Sequence, residues 1–205
     1  MNFQRTTVGF TLIELLFTVA IIAVLIAVTV PSFKSTITRN SIQSLQNTLK
    51  ADLAYARSEA VSRNSTITLC DAANRNAAYC NGTSDFSQGW LVFVDDGAGD
   101  RTKRGNSTVD PGETILIRRP NETNNTVQFS SDPFTGKSSV TFNQRGYIDG
   151  VTQKTNFRIC ASDADDKSAR GIYIDFSGRS AFSRDVDNDA NQIHDDNMGT
   201  NFTCS

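Results

Sequence analysis

GFTLIELLFTVAIIAVLIAVTVP, residues Gly9–Pro31, is the stretch of the sequence that decides the fold. The twenty-one residues from 10 to 30 contain a single ionisable side chain, Glu14. At about 1.5 Å of rise per residue, this run predicts a helix about 30 Å long, enough to cross the hydrocarbon core of a bilayer. The run is too long for the core of a secretory signal peptide, and no small-x-small cleavage site closes it. We therefore predict a membrane anchor behind a short leader, residues 1–9.

The carboxylate of Glu14 is the unusual feature of this helix. A charged side chain near the centre of a bilayer costs about 3 kcal/mol on insertion scales, so Glu14 needs a partner. Arg5 precedes the apolar run, and no acid precedes Glu14. This charge bias predicts that the leader stays cytoplasmic and that everything after the anchor faces outward.

The segment Gly9–Leu16, GFTLIELL, resembles the N-terminal signature of type IV pilins and type II secretion pseudopilins. The resemblance implies that a prepilin peptidase cuts between Gly9 and Phe10 and that Phe10 is then N-methylated. It also implies that Glu14 meets the new amino terminus of a neighbouring subunit during filament assembly. An ammonium and a carboxylate brought together in lipid relieve each other's desolvation, so the physical chemistry agrees with this role.

Beyond the anchor, an amphipathic helix is predicted. Pro31 lacks a backbone donor and is expected to kink or locally melt the helix without ending it. Apolar residues then recur at spacings of three and four: Ile42, Leu45, Leu49, Leu53, Ala56 and Ala60. The polar surface is assigned to Lys34, Arg39, Lys50, Asp52, Arg57, Glu59 and Arg63. Asn64 is the expected C-terminal stop.

After residue 65 the apolar period changes to two, which is typical of strands. The predicted strands are Thr66–Cys70, Trp90–Val94, Thr114–Arg118, Thr126–Ser130, Ser139–Asn143, Phe157–Ala161, Gly171–Phe176 and Arg179–Ser183. The fold class is therefore α+β, a long N-terminal helix whose second half packs against a head of two antiparallel sheets. The expected domains are the leader 1–9, the transmembrane helix 10–30, the amphipathic helix 31–64 and the β-rich head 65–205. The polar segment Asp95–Pro111 is expected to be a surface loop.

Four further motifs are Leu53–Ala60 in the amphipathic helix and Gly89–Asp95, Phe142–Gly146 and Ile174–Arg179 in the head. Together they resemble the GspH/FimT group of minor pseudopilins, most closely its FimU/FimT branch of type IV pilus minor pilins. The resemblance implies a non-catalytic subunit that primes pilus assembly or sits at the pilus tip. Its implied partners are prepilin peptidase, other minor pilins and pilus or pseudopilus subunits, and the bacterial inner membrane, with the head in the periplasm. A type II secretion minor pseudopilin and a DNA-binding minor pilin for DNA uptake are the alternatives.

Four cysteines in an exported domain predict two disulfides, with three connectivities open. We favour Cys70–Cys80 and Cys160–Cys204, because this pairing pins one loop and the C-terminal tail. A zinc site is the rival interpretation. It needs closely spaced cysteine pairs or nearby histidines, and the sequence has only His194.

Alternating acids in the C-terminal region form a weak candidate for calcium: Asp185, Asp187, Asp189 and Asp196. Counted from Asp185, they occupy positions one, three, five and twelve of an EF-hand-like loop. The sixth position is Ala190 where the loop needs glycine, and flanking helices are not evident. A solvated acidic loop is therefore the favoured interpretation, and no metal site is predicted.

DNA contact is considered at Arg179 and Arg184. Some FimT-like proteins resemble this chain and are associated with DNA uptake through a GRxR element, and the matching place here reads GRSA, residues 178–181. The second arginine of that element is missing, and the acids that follow would repel phosphates. A further basic patch could involve Arg101, Lys103, Arg104, Arg118 and Arg119. Assembly is the favoured function over DNA capture.

Composition adds no evidence for catalysis. The 20 Lys and Arg stand against 22 Asp and Glu, a formal net charge of -2, so no general attraction to nucleic acid is expected. One histidine outside any nucleophile or metal pattern cannot anchor a Ser/His/Asp or Cys/His system. We therefore predict no enzyme activity and no cofactor. His194 is interpreted as an exposed loop residue, and Asp95-Asp96 as ordinary turn acids.

Overall fold

A computed structural model describes residues 10–100, 102–123, 125–130, 138–150, 155–162, 165–185, 193–195 and 199–204, with only the backbone described at 27–35 and 129–130. The chain divides into two compact units, Met1–Thr38 and Arg39–Ser205. The predicted domain boundaries after residues 9, 30 and 64 stay predictions.

One helix, α1, runs from Leu12 to Arg63. It begins behind Thr11, whose side-chain oxygen accepts the backbone N–H of Glu14 at 3.3 Å, as an N-cap residue does. The backbone stays helical through Pro31, so the proline does not end the helix. Within the part of the chain that the structure describes, no helix is long and apolar enough to cross a membrane.

The last turns of α1 belong to the second unit and present one buried face. All six residues of the predicted apolar face are buried: Ile42, Leu45, Leu49, Leu53, Ala56 and Ala60. Asn64 adopts a left-handed conformation with φ 51° just after the helix, and the Ser65 N–H donates to the Ala60 carbonyl at 3.1 Å. Asparagine tolerates that conformation, which explains why α1 ends here.

Eight antiparallel strands follow: β1 Ile67–Asp71, β2 Gly89–Val94, β3 Ile115–Pro120, β4 Thr126–Ser130, β5 Ser139–Phe142, β6 Thr155–Cys160, β7 Arg170–Ile174 and β8 Ser180–Phe182. They form two four-stranded sheets, in the orders β3-β2-β1-β5 and β4-β6-β7-β8. Every predicted strand is present to within about two residues, a normal margin for element ends. The α+β fold with two antiparallel sheets is confirmed.

The buried face of α1 and the inner faces of both sheets share one hydrophobic core. Its largest fully buried side chains include Trp90, Phe86, Phe142 and Phe157. The rings of Phe86 and Phe157 meet edge to face with centroids 5.0 Å apart, a favoured aromatic geometry. The core therefore joins β2 and the segment before it to β6 of the other sheet.

Both predicted disulfides are formed, Cys70–Cys80 and Cys160–Cys204. The first closes the loop of residues 70–80. The segment just after this loop is held by Asp71, a buried carboxylate that accepts the backbone N–H groups of Gly82 at 2.9 Å and Thr83 at 2.8 Å. The second lies in a small cluster with Ala169 and Phe202, away from the main core.

Candidate functional site

The start of α1 carries the residues expected to direct processing and assembly. Gly9 lies outside the described residues, and Phe10 is 82% exposed. Glu14 is exposed in the first turn, among the exposed apolar side chains of Leu12, Ile13 and Leu15. The ion pairs between described residues do not include Glu14. Its position suits an anion, because the first turn of a helix carries the positive end of the macrodipole.

Three of the sequence motifs meet at one point of the head. Arg57 of α1 donates from Nε to the carbonyl oxygen of Gly146 at 3.0 Å. Gly178, in the turn between β7 and β8, packs so closely that an added Cβ would lie 2.2 Å from that same oxygen. Both glycines have positive φ, 77° and 75°. The Arg57 guanidinium thus ties two loops of different sheets to the helix, which the sequence motifs taken singly did not reveal.

Beside this junction lies an open groove of about 660 Å³ between α1 and the β7–β8 hairpin. We call it the basic groove, and its main lining residues are Lys50, Ala54, Arg57, Val61, Ser62 and Arg179. Across the hairpin, the Lys50 Nζ lies 3.9 Å from the centre of the Phe182 ring, within the range of a cation–π contact.

The hairpin turn that presents Arg179 is held by Asp175. Burial alone would raise the pKa of Asp175, but the hydroxyl of Ser177 and the backbone N–H groups of Arg179 and Ser177 outweigh it and lower the pKa. The Asp175 carboxylate accepts the Ser177 hydroxyl at 2.5 Å and the Arg179 N–H at 3.1 Å. The turn is therefore a tightly bonded support for the Arg179 side chain, which is exposed.

The two arginines considered for DNA contact are not brought together. Arg179 precedes β8 and Arg184 follows it, and at the rise of an extended strand they lie roughly 15 Å apart. Both side chains are exposed, but only Arg179 is among the lining residues of the basic groove. The element therefore presents two separate cations.

The second basic patch is broken up by acids. Lys103 Nζ pairs with Asp110 at 3.3 Å, and Arg119 pairs with Asp52 at 2.9 Å. Arg101 lies outside the described residues.

The calcium candidate falls largely outside the described residues. Asp187, Asp189 and Asp196 lie there, whereas Asp185 is described and exposed. Among the residues that are described, no group of three or more His, Cys, Asp or Glu side chains could hold a metal ion.

The prediction that Asp52 lies on the polar surface of the helix is wrong. Its side chain is buried and accepts the indole N–H of Trp90 at 2.8 Å. Arg119 adds two further bonds from Nε and Nη2, at 3.0 and 2.9 Å, and this pairing raises the pKa of Arg119. The cause lies in the sheet, where Trp90 on β2 pairs directly with Arg119 on β3 and supplies two donors to one carboxylate.

Asp95 is likewise more than a turn acid. It is fully buried, and it accepts the Thr68 hydroxyl at 2.7 Å and the backbone N–H groups of Gly105 at 2.8 Å and Ser107 at 2.9 Å. Burial raises the pKa of Asp95, against the opposing effect of these donors. The loop predicted as polar surface is therefore folded around an internal carboxylate.

His194 is half-buried, which corrects its interpretation as an exposed loop residue. Its Nδ1 lies 3.0 Å from the Ser183 Oγ, which also accepts the Gly171 N–H at 2.7 Å. Burial lowers the pKa of His194, and the charge of Arg170 lowers it further. The His194 carbonyl accepts the Phe202 N–H at 2.9 Å, so the histidine helps to hold the C-terminal tail on the second sheet.

The family model described as type II transport protein GspH matches residues 45–178. The chain belongs to the GspH family. It is therefore a minor pilin or pseudopilin, a structural subunit of a filament. The matched residues of the GspH model contain Arg57, Gly146 and Gly178, so the junction of the three motifs lies inside the family domain.

Two solved structures resemble this GspH-family chain, both of the type IV minor pilin FimU of Pseudomonas aeruginosa strain PAO1. One, in space group P21, is 22% identical and has a TM-score of 0.49, and the match covers 70% of this chain and 88% of the FimU chain. The other, in space group P65, is 22% identical and has a TM-score of 0.46, and the match covers 68% of this chain and 90% of the FimU chain. No curated protein matches the sequence.

Proposed function

We propose that this GspH-family subunit is a minor type IV pilin without catalytic activity, made as a precursor anchored in the inner membrane with its head in the periplasm. Prepilin peptidase cuts between Gly9 and Phe10, Phe10 is N-methylated, and the mature subunit joins other minor pilins to prime assembly or to form the pilus tip.

The exposed Glu14 carboxylate is the observation that carries the proposal. It projects from a capped first turn among exposed apolar side chains. In lipid a lone carboxylate costs about 3 kcal/mol, so this side chain favours a place where a cation is supplied. The amino group of Phe10 in a neighbouring subunit supplies one, and that amino group exists only after cleavage. Processing and assembly are thereby coupled.

The test replaces Glu14 and measures cleavage and incorporation separately in the same cells. Glu14→Ala should still be cleaved, as judged by the mass of the protein extracted from membranes, but should be lost from sheared filaments. Thr18→Ala is the matched control, because Thr18 lies one turn further on and its hydroxyl bonds only to the Leu15 carbonyl of its own helix at 2.8 Å. Gly9→Lys should block cleavage. Normal incorporation of Glu14→Ala would refute the role of Glu14, and trimmed, methylated Gly9→Lys would refute the processing site.

The description of the matching family, type II transport protein, favours a second candidate. This is a minor pseudopilin of a type II secretion system, which would use the same N-terminal chemistry. Deletion of the gene separates the two. Loss of surface pili with secretion intact supports the pilin, and loss of secreted enzymes with pili intact supports the pseudopilin.

A further inference from the structure

The basic groove contains three cations that form no ion pair with another described residue. The ion pairs between described residues are Arg63–Glu59, Lys103–Asp110 and Arg119–Asp52, and none includes Lys50, Arg57 or Arg179. Among the described residues that line the groove, none is acidic. This is an excess of positive charge on one surface of a chain whose formal net charge is -2.

The acids nearest in sequence are committed elsewhere. Glu59 pairs with Arg63, and at about 100° per residue it lies on the opposite side of α1 from Arg57 and Val61. Asp175 is bound within the hairpin turn, although its charge is felt by Arg179. A ligand in the groove would therefore meet the cations before any competing carboxylate.

The groove also presents apolar surface. Ala54 and Val61 line it, and Val61 is 52% exposed. An open groove that combines exposed apolar side chains with cations has the composition of a protein interface, in which apolar contacts give affinity and charged groups give orientation. It fits an extended peptide that alternates carboxylates with small apolar side chains.

We propose that the basic groove binds an acidic, carboxylate-bearing segment of a neighbouring subunit in the filament. This inference rests on the proposed function and names the surface through which the head meets its neighbour. Nucleic acid fits less well. Sequence-independent binding of single strands uses free aromatic faces as stacking platforms, and here the Lys50 ammonium lies over the Phe182 ring at the groove's edge.

The first test measures binding of a fluorescent oligoglutamate peptide to the full-length protein in detergent. Arg179→Glu should weaken binding at least about tenfold, the cost of losing a charge-assisted contact and adding a repulsion. Arg184→Glu is the matched control, because it makes the same charge change on an exposed arginine at the other end of β8. Equal effects of the two variants would overturn the proposal. Tighter binding of oligothymidylate than of the peptide, lost in Arg179→Glu, would overturn it in favour of nucleic acid.

The second test asks whether the groove is covered in filaments. All four native cysteines are in disulfides, so Ser62→Cys introduces a single free thiol at the groove. Its reaction with a maleimide should be fast in the membrane pool and at least about tenfold slower in sheared filaments, as expected for a buried interface. Thr108→Cys, exposed in the segment between β2 and β3, controls for general access. If Ser62→Cys subunits enter filaments and the introduced thiol stays reactive, the groove is not covered by a neighbouring subunit. That result would refute the proposed interface and leave the proposed function intact. Absence of the wild-type protein from filaments would refute the proposed function itself.

Discussion

Gly178→Ala should destabilise the head by much more than the backbone conformation alone requires. Gly178 has φ 75°, a left-handed conformation that costs an alanine about 1–2 kcal/mol. The added methyl would also lie 2.2 Å from the Gly146 carbonyl oxygen and 3.1 Å from the Arg57 Nε. One of the two turns must move, and the hydrogen bond between Arg57 and Gly146 is then lost.

A second glycine serves as a control for the cost of placing an alanine in the left-handed conformation. Gly199 has φ 79°, and an added Cβ there would have no atom of the other described residues within 4 Å. Gly199→Ala should therefore lower the free energy of unfolding only by the cost of the left-handed conformation, about 1–2 kcal/mol. A hydrogen bond from a charged group contributes about 1.5–3 kcal/mol, so Gly178→Ala should cost about 2.5–5 kcal/mol in total.

Urea unfolding followed by fluorescence measures both values, because Trp90 is the only tryptophan and is fully buried in the head. The two variants should differ by about 2 kcal/mol in the free energy of unfolding. Adding Arg57→Ala to Gly178→Ala should cost less than the sum of the single changes, since both remove the same bond. Equal destabilisation by Gly178→Ala and Gly199→Ala would refute the close contact as the cause.

Three further outcomes follow from the buried polar groups and the disulfides. Asp52→Ala should cost about 2–3 kcal/mol and change the Trp90 emission, because it leaves the buried indole N–H without its acceptor; an unchanged spectrum would contradict this. On the chain-entropy model, replacing Cys160 and Cys204 with serine should lower the free energy of unfolding by about 4 kcal/mol, because their loop spans 44 residues. Replacing Cys70 and Cys80 should lower it by about 2.7 kcal/mol, because their loop spans 10 residues. The reverse order in denaturant titrations would contradict the model. The lowered pKa of His194 means that its stabilising effect is present above the unfolded pKa of about 6.5 and is lost as the pH falls from that value through the lower pKa of the folded protein. Tm should therefore fall more between pH about 7 and about 5 in the wild type than in His194→Gln, and parallel profiles would exclude this contribution.

The helix face and the strands could be predicted because local pattern determines them. Spacings of three and four placed Ile42 through Ala60 on one side of α1, and alternation placed residues such as Leu69 and Val92 inside the sheets. Asn64 could be assigned as the helix stop because few other residues tolerate the left-handed conformation that the structure has there. The disulfide pairing followed from preferring the pairing that pins one loop and the tail.

The buried polar residues could not be predicted, because their partners are distant in sequence. Asp52 becomes a core residue only when the register of β2 and β3 places Trp90 opposite Arg119. Asp95 is buried only because the following loop folds back and aims its N–H groups at the carboxylate. The basic groove likewise forms only where the hairpin of β7 and β8 lies beside α1. Neither the helix sequence nor the hairpin sequence by itself predicts the groove. The roles of Gly9, Phe10 and Glu14 stay predictions from resemblance.

The bridge between Cys160 and Cys204 limits how far the head can lengthen when its two ends are pulled apart. A fully extended residue adds about 3.5 Å of length, so the 44-residue span between these cysteines would contribute about 150 Å if the head were pulled open. The covalent bridge removes nearly all of this length, because force passes across the sulfur atoms and bypasses β7, β8 and the tail. An oxidised head pulled from its two ends therefore lengthens less than a reduced one, and the strands inside the loop carry no load.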